Sequence, residues 1–299
     1  MNDYFETHFD EYRKHIDDAQ YAQAIDACLD LLADYKANHA DYDAQHKGSP
    51  FYVMGYAAFA SHDYSGASLF FDAGVSEDLK AFGARADKPA LNFLQLLDQG
   101  QEVLASGVIR DLIVETQNVL DDYNARPGGA PLTLDELRTR FLSKIVADPK
   151  PEKRALVTTF LSFVAEGRYR RKVMDLVSNG SRDPFLVHLF RGCVLFESLL
   201  KENPTRTPKN DTLGGILSEM KVELGGDYGN AGSSTFGDAL MKLAAGQPIE
   251  DTVKGATRLR NTTGHKVSWE TTHLDPASYD LAIKTVASAC LHVISKLYV

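Results

Sequence analysis

Residues 183–202, with the sequence DPFLVHLFRGCVLFESLLKE, place apolar side chains on one wide face when they are wound as an α-helix. The members of that face are Phe185, Leu189, Cys193, Phe196, Leu199 and Leu200. Asp183 followed by Pro184 is typical of an N-cap and a first helical position, and Asn203-Pro204 is typical of a helix end. The stretch therefore predicts a helix from Phe185 to about Glu202 with Asp183 as its N-cap.

The same helical spacing of apolar residues continues through most of the chain. It predicts helices over 19–35, 51–61, 65–73, 89–99, 102–122, 133–147, 152–166, 211–224, 235–245, 249–260 and 276–297, the last opened by Asp275-Pro276. Turn-forming residues separate these segments, and the one short candidate for an extended segment is Lys266–His273. The sequence predicts an all-α fold.

The composition indicates an ordinary globular protein. The chain has 299 residues, 44% hydrophobic and 24% charged, which suffices for one large core or for two domains of about 150 residues each. Its 3 cysteines are far apart and form no CxxC pair, so a disulfide framework or a cysteine zinc site is not expected. The acidic N-terminus lacks an apolar core and no long apolar run follows, so we expect a cytoplasmic protein without a membrane span.

The net charge of -9 conceals an uneven distribution. Residues 1–100 hold 17 acidic and 7 basic side chains, whereas residues 138–172 hold 10 basic and 3 acidic ones. Because salt limits the reach of exposed charges to about 10 Å, a basic segment can attract a polyanion despite an acidic remainder. A set of solvated helix faces is the alternative interpretation of these charge runs.

Two segments of the first half are similar to each other. Asp18–Ala24 and His62–Ala67 share a polar turn, a tyrosine (Tyr21, Tyr64) and an alanine three residues after it. The second belongs to a longer pattern of Phe51, Gly55, Asp63, Tyr64, Ala67 and Phe71. This pattern resembles a tetratricopeptide repeat, in which small residues let two antiparallel helices approach closely. We expect residues 1–175 to form a helical scaffold, with a generic helical hairpin layer as the alternative.

One local constellation carries residues suited to chemistry, RLRNTTGHK at 258–266. Arg260 is followed by Asn261, and His265 lies five residues beyond the arginine. Histidine exchanges a proton near neutral pH, and a guanidinium can hold phosphate oxygens and the charge that develops on them. RNA supplies its own nucleophile, the 2′-hydroxyl, so phosphodiester cleavage needs neither a metal nor a cofactor here. A second arginine–histidine pair, Arg182 and His188, starts a helix and is interpreted as a chance match.

The region from 180 to 299 resembles a HEPN (higher eukaryotes and prokaryotes nucleotide-binding) domain. The resemblance rests on Arg260, Asn261 and His265 just before the long helix 276–297, and on Glu197 in the first long helix. It implies a helical bundle that cuts RNA without metal and acts as a homodimer, in toxin or antiviral defence systems. It also implies that Arg260, Asn261 and His265 are catalytic, with Glu197 facing the same site.

We accordingly expect RNA as the partner, with Arg258 and Lys266 holding its backbone and 2′,3′-cyclic phosphate and 5′-hydroxyl ends as products. A protein partner is expected on the helical scaffold. Two alternatives stay open: a catalytically silent HEPN-like bundle that serves as an adaptor or dimerisation module, and a toxin that a partner holds inactive. Arg260 and His265 could also do no more than stabilise a helix C-terminus, where cations are favoured.

Overall fold

The computed structural model describes residues 4–83, 88–98, 104–177, 181–232, 235–263 and 274–298. Within these ranges the regular structure is helical and contains no strand, so the predicted all-α class is confirmed. The helices in chain order are α1 (Tyr4–Thr7), α2 (Phe9–Asp17), α3 (Tyr21–Asn38), α4 (Gly48–Ala60), α5 (Tyr64–Phe82), α6 (Pro89–Leu94), α7 (Ser106–Asn124), α8 (Leu134–Leu137), α9 (Ser143–Val146), α10 (Pro151–Leu176), α11 (Asp183–Lys201), α12 (Leu213–Glu219), α13 (Lys221–Leu224), α14 (Phe236–Met241), α15 (Ile249–Thr263) and α16 (Pro276–Leu297). A 3₁₀ turn at Tyr42–Ala44 and a π-helical turn at Arg138–Leu142 complete them.

The chain forms two compact units. Unit 1 comprises residues 1–113 and 142–158, and unit 2 comprises residues 114–141 and 159–299. This division differs from the boundary at 175–180 that the sequence predicts. The reason is visible in the second part of α10, where the Phe163 ring lies directly against Gly192 of α11 and the Phe163 carbonyl oxygen accepts a hydrogen bond from His188. The later turns of α10 therefore belong to the core of unit 2.

In unit 1, α4 and α5 form a helical hairpin closed by a three-residue turn. A Cβ atom added to Gly55 of α4 would lie 2.9 Å from the Phe71 ring of α5, so this position needs glycine for the close approach of the two helices. Phe71 in turn stacks on Phe93 of α6 with the ring centroids 3.7 Å apart. The pattern of small and aromatic residues in the sequence thus marks a helix–helix contact.

The two similar segments of the sequence occupy equivalent places in unit 1. Tyr21 begins α3 and Tyr64 begins α5, and Ala24 and Ala67 are both buried. Asp63 caps α5 by accepting a hydrogen bond of 2.9 Å from the Gly66 amide. These helices agree with a layered helical scaffold, while the tetratricopeptide assignment stays a prediction.

In unit 2, helices α11, α15 and α16 pack against one another. Helix α16 is buried along most of its length, as its alanine- and valine-rich sequence predicts. Asp275 caps it, accepting a hydrogen bond of 2.7 Å from the Ser278 amide, and Pro276 occupies its first turn. The start predicted for this helix from Asp275-Pro276 is confirmed.

Several predicted helix bounds are wrong. Helix α11 begins at Asp183, so its N-cap is Arg182 and not the predicted Asp183, and the Asp183 amide donates to the Ser181 hydroxyl. The helix predicted over 152–166 continues to Leu176, and the one predicted over 211–224 divides at Met220. The extended candidate Lys266–His273 lies outside the described residues.

Among the described residues, each unit contains one arginine that is almost completely buried. In unit 1 the Arg154 side chain is 1% exposed, and its Nε donates to Asp72 Oδ1 over 2.6 Å. In unit 2 the side chain of Arg126 donates to Asp122, Ser288 and Thr252. Because a buried guanidinium without acceptors would be strongly unfavourable, these networks fix the helices that supply the acceptors.

No helix in the described part of the chain is long and apolar enough to cross a membrane.

Candidate functional site

The predicted site residues Arg260 and Glu197 meet between two helices of unit 2. Arg260 lies in the last turn of α15 and Glu197 in the second half of α11. The Arg260 Nε donates a hydrogen bond to Glu197 Oε2 over 2.7 Å, and the two side chains are 26% and 13% exposed. The packing of α11 against α15 brings together residues that are 63 positions apart in the sequence.

Glu197 has a second cationic partner. Lys201, one turn later on α11, donates to the other carboxylate oxygen of Glu197 over 2.6 Å. Burial opposes the ionisation of Glu197, but the hydrogen bond from Lys201 and the charge of Arg260 outweigh it, so the pKa of Glu197 is lowered. With both oxygens engaged, this carboxylate is held as an anion and is poorly suited to carry a proton in a reaction.

The Arg260 guanidinium also contacts an aromatic ring. Its Cζ lies 5.9 Å from the ring centroid of Phe190 on α11. Phe190 and Glu197 are seven residues apart, which is two helical turns, so both face α15. Among the described residues, Glu197 is the hydrogen-bond acceptor of this guanidinium, through Nε, and the Nη1 and Nη2 groups have no acceptor there.

Two further predicted residues lie on α15. Asn261 is exposed directly after Arg260. Arg258 is half-buried, and its Nε is a buried nitrogen without a hydrogen-bond partner among the described residues. Since residues two positions apart on an α-helix diverge by about 200°, the side chains of Arg258 and Arg260 leave α15 on different sides.

The predicted acid–base residue His265 and the predicted RNA-binding residue Lys266 lie outside the described residues. The site that can be described therefore consists of Arg260 and Asn261 from α15 with Glu197, Lys201 and Phe190 from α11.

The second arginine–histidine pair has a different environment. His188 is 1% exposed, with Nδ1 2.7 Å from the Tyr279 hydroxyl and Nε2 2.9 Å from the Phe163 carbonyl oxygen. Because a carbonyl accepts only, Nε2 carries the proton and Nδ1 accepts from Tyr279. Burial lowers the pKa of His188 to about 3, so this side chain is a neutral member of the core.

The nearest thiol to the site is inert. Cys193 lies on α11 between Phe190 and Glu197, and burial raises its pKa to about 12. The part of the chain that the structure describes contains no group of three or more histidine, cysteine, aspartate or glutamate side chains placed to hold a metal ion.

Two residues of the site, Lys201 and Phe190, are not among those predicted from the sequence. The signal for Lys201 was its position four residues after Glu197, a spacing at which opposite charges pair on a helix. For Phe190 the signal was its position on the same helical face as Glu197. That position does not indicate a site residue until the helix packed against this face is known.

Comparison with models of known protein families, with curated proteins and with solved structures gives no match for this chain. The resemblance to HEPN domains therefore rests on the sequence motif alone.

Proposed function

We propose that this protein is a metal-independent endoribonuclease whose site is formed by Arg260, Asn261 and His265 with Glu197 as a positioning residue. The observation that carries the proposal is the placement of Arg260. Its guanidinium is held by Glu197 through Nε and by the Phe190 ring, while the two Nη groups have no hydrogen-bond partner among the described residues. A guanidinium held in this way is oriented before a phosphate arrives, which lowers the cost of binding it.

In the proposed reaction the 2′-oxygen of the substrate forms a bond to the adjacent phosphorus, and the bond from that phosphorus to the 5′-oxygen breaks. A base removes the 2′-hydroxyl proton and an acid gives a proton to the departing 5′-oxygen, which leaves a 2′,3′-cyclic phosphate and a 5′-hydroxyl. His265 is assigned to proton transfer, Arg260 to the negative charge on the phosphate oxygens and Asn261 to orientation. Glu197 is assigned no proton, because its ionised form is stabilised by Lys201 and Arg260.

The proposal includes a homodimer in which two copies of the motif share one cleft, as the family resemblance implies. It also includes a regulatory protein partner for the helical scaffold of unit 1.

A catalytically silent adaptor is the second candidate. The observation in its favour is the same ion pair, because a bond between α11 and α15 also stabilises a bundle that performs no chemistry.

The test is cleavage of an unstructured RNA in the presence of EDTA, followed by analysis of the ends. We expect cyclic phosphate and 5′-hydroxyl ends, and no cleavage of the same oligonucleotide with 2′-deoxyribose throughout, because it lacks the nucleophile. Activity that EDTA abolishes and magnesium restores would overturn this mechanism. Cleavage of neither oligonucleotide by the folded protein would favour the adaptor.

A further inference from the structure

One face of α11 carries apolar side chains that are exposed or half-buried, which we name the α11 stripe and define as Val187, Phe190 and Val194. These residues are spaced by three and four positions and so lie on one face of the helix. Val187 is 64% exposed and Val194 38%, and Phe190 is half-buried between them. The Phe190 ring is therefore partly exposed next to Arg260, a residue of the proposed site.

One border of the stripe is formed by Arg260 and Lys201. Arg260 lies against Phe190 itself, and its one hydrogen-bonded carboxylate, Glu197, is shared with Lys201. Arg260 and Lys201 therefore share the Glu197 carboxylate, so this border carries one more positive charge than negative charge. The Nη groups of Arg260 have no acceptor among the described residues, and the Cζ atom that carries them lies 5.9 Å from the centroid of the Phe190 ring.

The other border is formed by Arg191, the residue after Phe190, whose side chain leaves α11 about 100° further around the helix. Arg191 follows Phe190 on α11 but reaches α10, where its Nη1 lies 3.7 Å from Glu166 Oε2. The other oxygen of Glu166 accepts from Arg170 over 2.5 Å. The Phe190 ring therefore has the Arg260 guanidinium on its α15 side, and Arg191 lies on the side of α11 that faces α10.

A partly exposed aromatic ring with cationic side chains on the neighbouring surface is an arrangement that binds single-stranded nucleic acid, because bases stack on the ring while phosphates lie on the cations. We propose that the α11 stripe is the subsite for an unpaired stretch of RNA next to the cleaved phosphate, with a base on Phe190 and flanking phosphates on Arg260 and Arg191. The identity of the nucleic acid as RNA rests on the proposed function. A duplex does not fit this subsite, because its bases are already stacked and paired.

The test is binding of an unstructured 2′-O-methyl RNA, which cannot be cut at its blocked 2′-oxygens, followed by fluorescence anisotropy at several salt concentrations. We expect Phe190→Leu to weaken binding about tenfold, the lower range for loss of one stacked base. Arg191→Gln should reduce the slope of log affinity against log salt by about 0.7, the value for one phosphate contact on a single strand. Pairing the RNA with its complement should abolish the difference between wild type and Phe190→Leu.

Two variants outside the stripe serve as matched controls. Val222→Ala removes an apolar side chain that is 82% exposed on α13, and Arg206→Gln removes an arginine that is also ion-paired, with Glu219 and Glu223. Both should bind as wild type does. Val187→Ser changes a side chain that is 64% exposed and so tests the stripe without disturbing the core, and it should also weaken binding.

Equal affinity of wild type, Phe190→Leu and Val187→Ser for the RNA would overturn the subsite, even if the wild type cuts RNA. If the wild type binds RNA through the stripe but does not cut it, the ribonuclease proposal fails and the subsite stands. If light scattering shows that Val187→Ser with Val194→Ser halves the particle mass while RNA affinity is unchanged, the stripe is an interface between two copies and the subsite is overturned.

Discussion

Arg260 of α15 and Glu197 of α11 are joined by a hydrogen bond of 2.7 Å from Nε to Oε2, and Lys201 holds the opposite oxygen of the same carboxylate at 2.6 Å. Lys201, Glu197 and Arg260 thus form a continuous series of ion pairs that connects α11 to the end of α15. Its middle member carries a lowered pKa and stays charged. The arrangement assigns Glu197 to orientation, which can be separated experimentally from a role in proton transfer.

The first prediction concerns Glu197. Glu197→Gln keeps an oxygen that can accept from Arg260 but loses the charge, whereas Glu197→Ala loses both. We expect RNA cleavage to fall in both variants and further in the alanine variant, because the guanidinium becomes progressively less well held. The measurement is kcat/KM against pH from about 5 to 9.

Both variants should keep the acidic and the basic limb of the pH profile of kcat/KM, because the titrating group is assigned to His265. A limb that disappears in Glu197→Gln would show that Glu197 is itself the acid or base.

The second prediction concerns the motif. His265→Ala and Arg260→Ala should each lower RNA cleavage by at least about 100-fold, the usual scale for loss of a positioned proton donor or charge donor. Asn261→Ala should lie between these variants and wild type. Single-turnover cleavage measures the effect, and circular dichroism checks the fold.

Arg182→Ala is the matched control for this series, since Arg182 precedes a histidine at similar spacing but lies at the start of α11. It should cut RNA as wild type does. Normal cleavage by folded His265→Ala and Arg260→Ala proteins would instead establish the adaptor.

The third prediction concerns pH and stability. His188 stays neutral in the folded protein down to a pKa of about 3, whereas its ordinary value is 6.5. Between these values the unfolded chain binds a proton that the folded protein does not, so stability is complete above about pH 6.5 and falls as the pH is lowered. One such group contributes a slope of at most about 1.4 kcal/mol per pH unit.

Urea unfolding at several pH values measures this slope. His188→Gln, which keeps a donor for Phe163 and an acceptor for Tyr279, should show a shallower dependence below pH 6.5 than wild type. An unchanged slope in His188→Gln would contradict the assignment.

The fourth prediction concerns the buried arginine of unit 1. Arg154→Met leaves the Asp72 carboxylate without the partner that Arg154 Nε provides at 2.6 Å. Breaking a buried pair from one side typically costs about 3–5 kcal/mol, and Asp72 keeps some contact with water, so we expect the lower value. Thermal unfolding measures the loss, and Arg154→Met with Asp72→Asn should recover part of it. Full stability of the single variant would show that the pair contributes nothing.

Features that depend on neighbouring residues could be predicted from the sequence. The start of α16 follows from the capping chemistry of Asp275 and Pro276, and the hairpin of α4 and α5 follows from Gly55, Asp63 and Phe71. Each of these signals lies within a few residues of the structure that it specifies.

Features that depend on distant partners could not be predicted in the same way. Helix α10 continues through its arginine-rich turns to Leu176, although these turns carry few apolar side chains. Arg171 explains the continuation, because it pairs with Glu115 of α7 and Asp280 of α16. For the candidate site, the sequence indicated Arg260 and Glu197. The contact of the Phe190 ring with Arg260 could not be predicted, because it depends on the packing of α15 on α11.

The order of segments in the two units has a consequence for the history and handling of the gene. The chain enters unit 2 at residue 114, returns to unit 1 for residues 142–158 and then completes unit 2. No single breakpoint in the gene therefore separates the units. A recombination event that transferred one intact unit would have to transfer both of its segments. Truncation at any one residue leaves at least one unit without part of its core, whereas exchanging residues 114–141 together with 159–299 as a matched set preserves both.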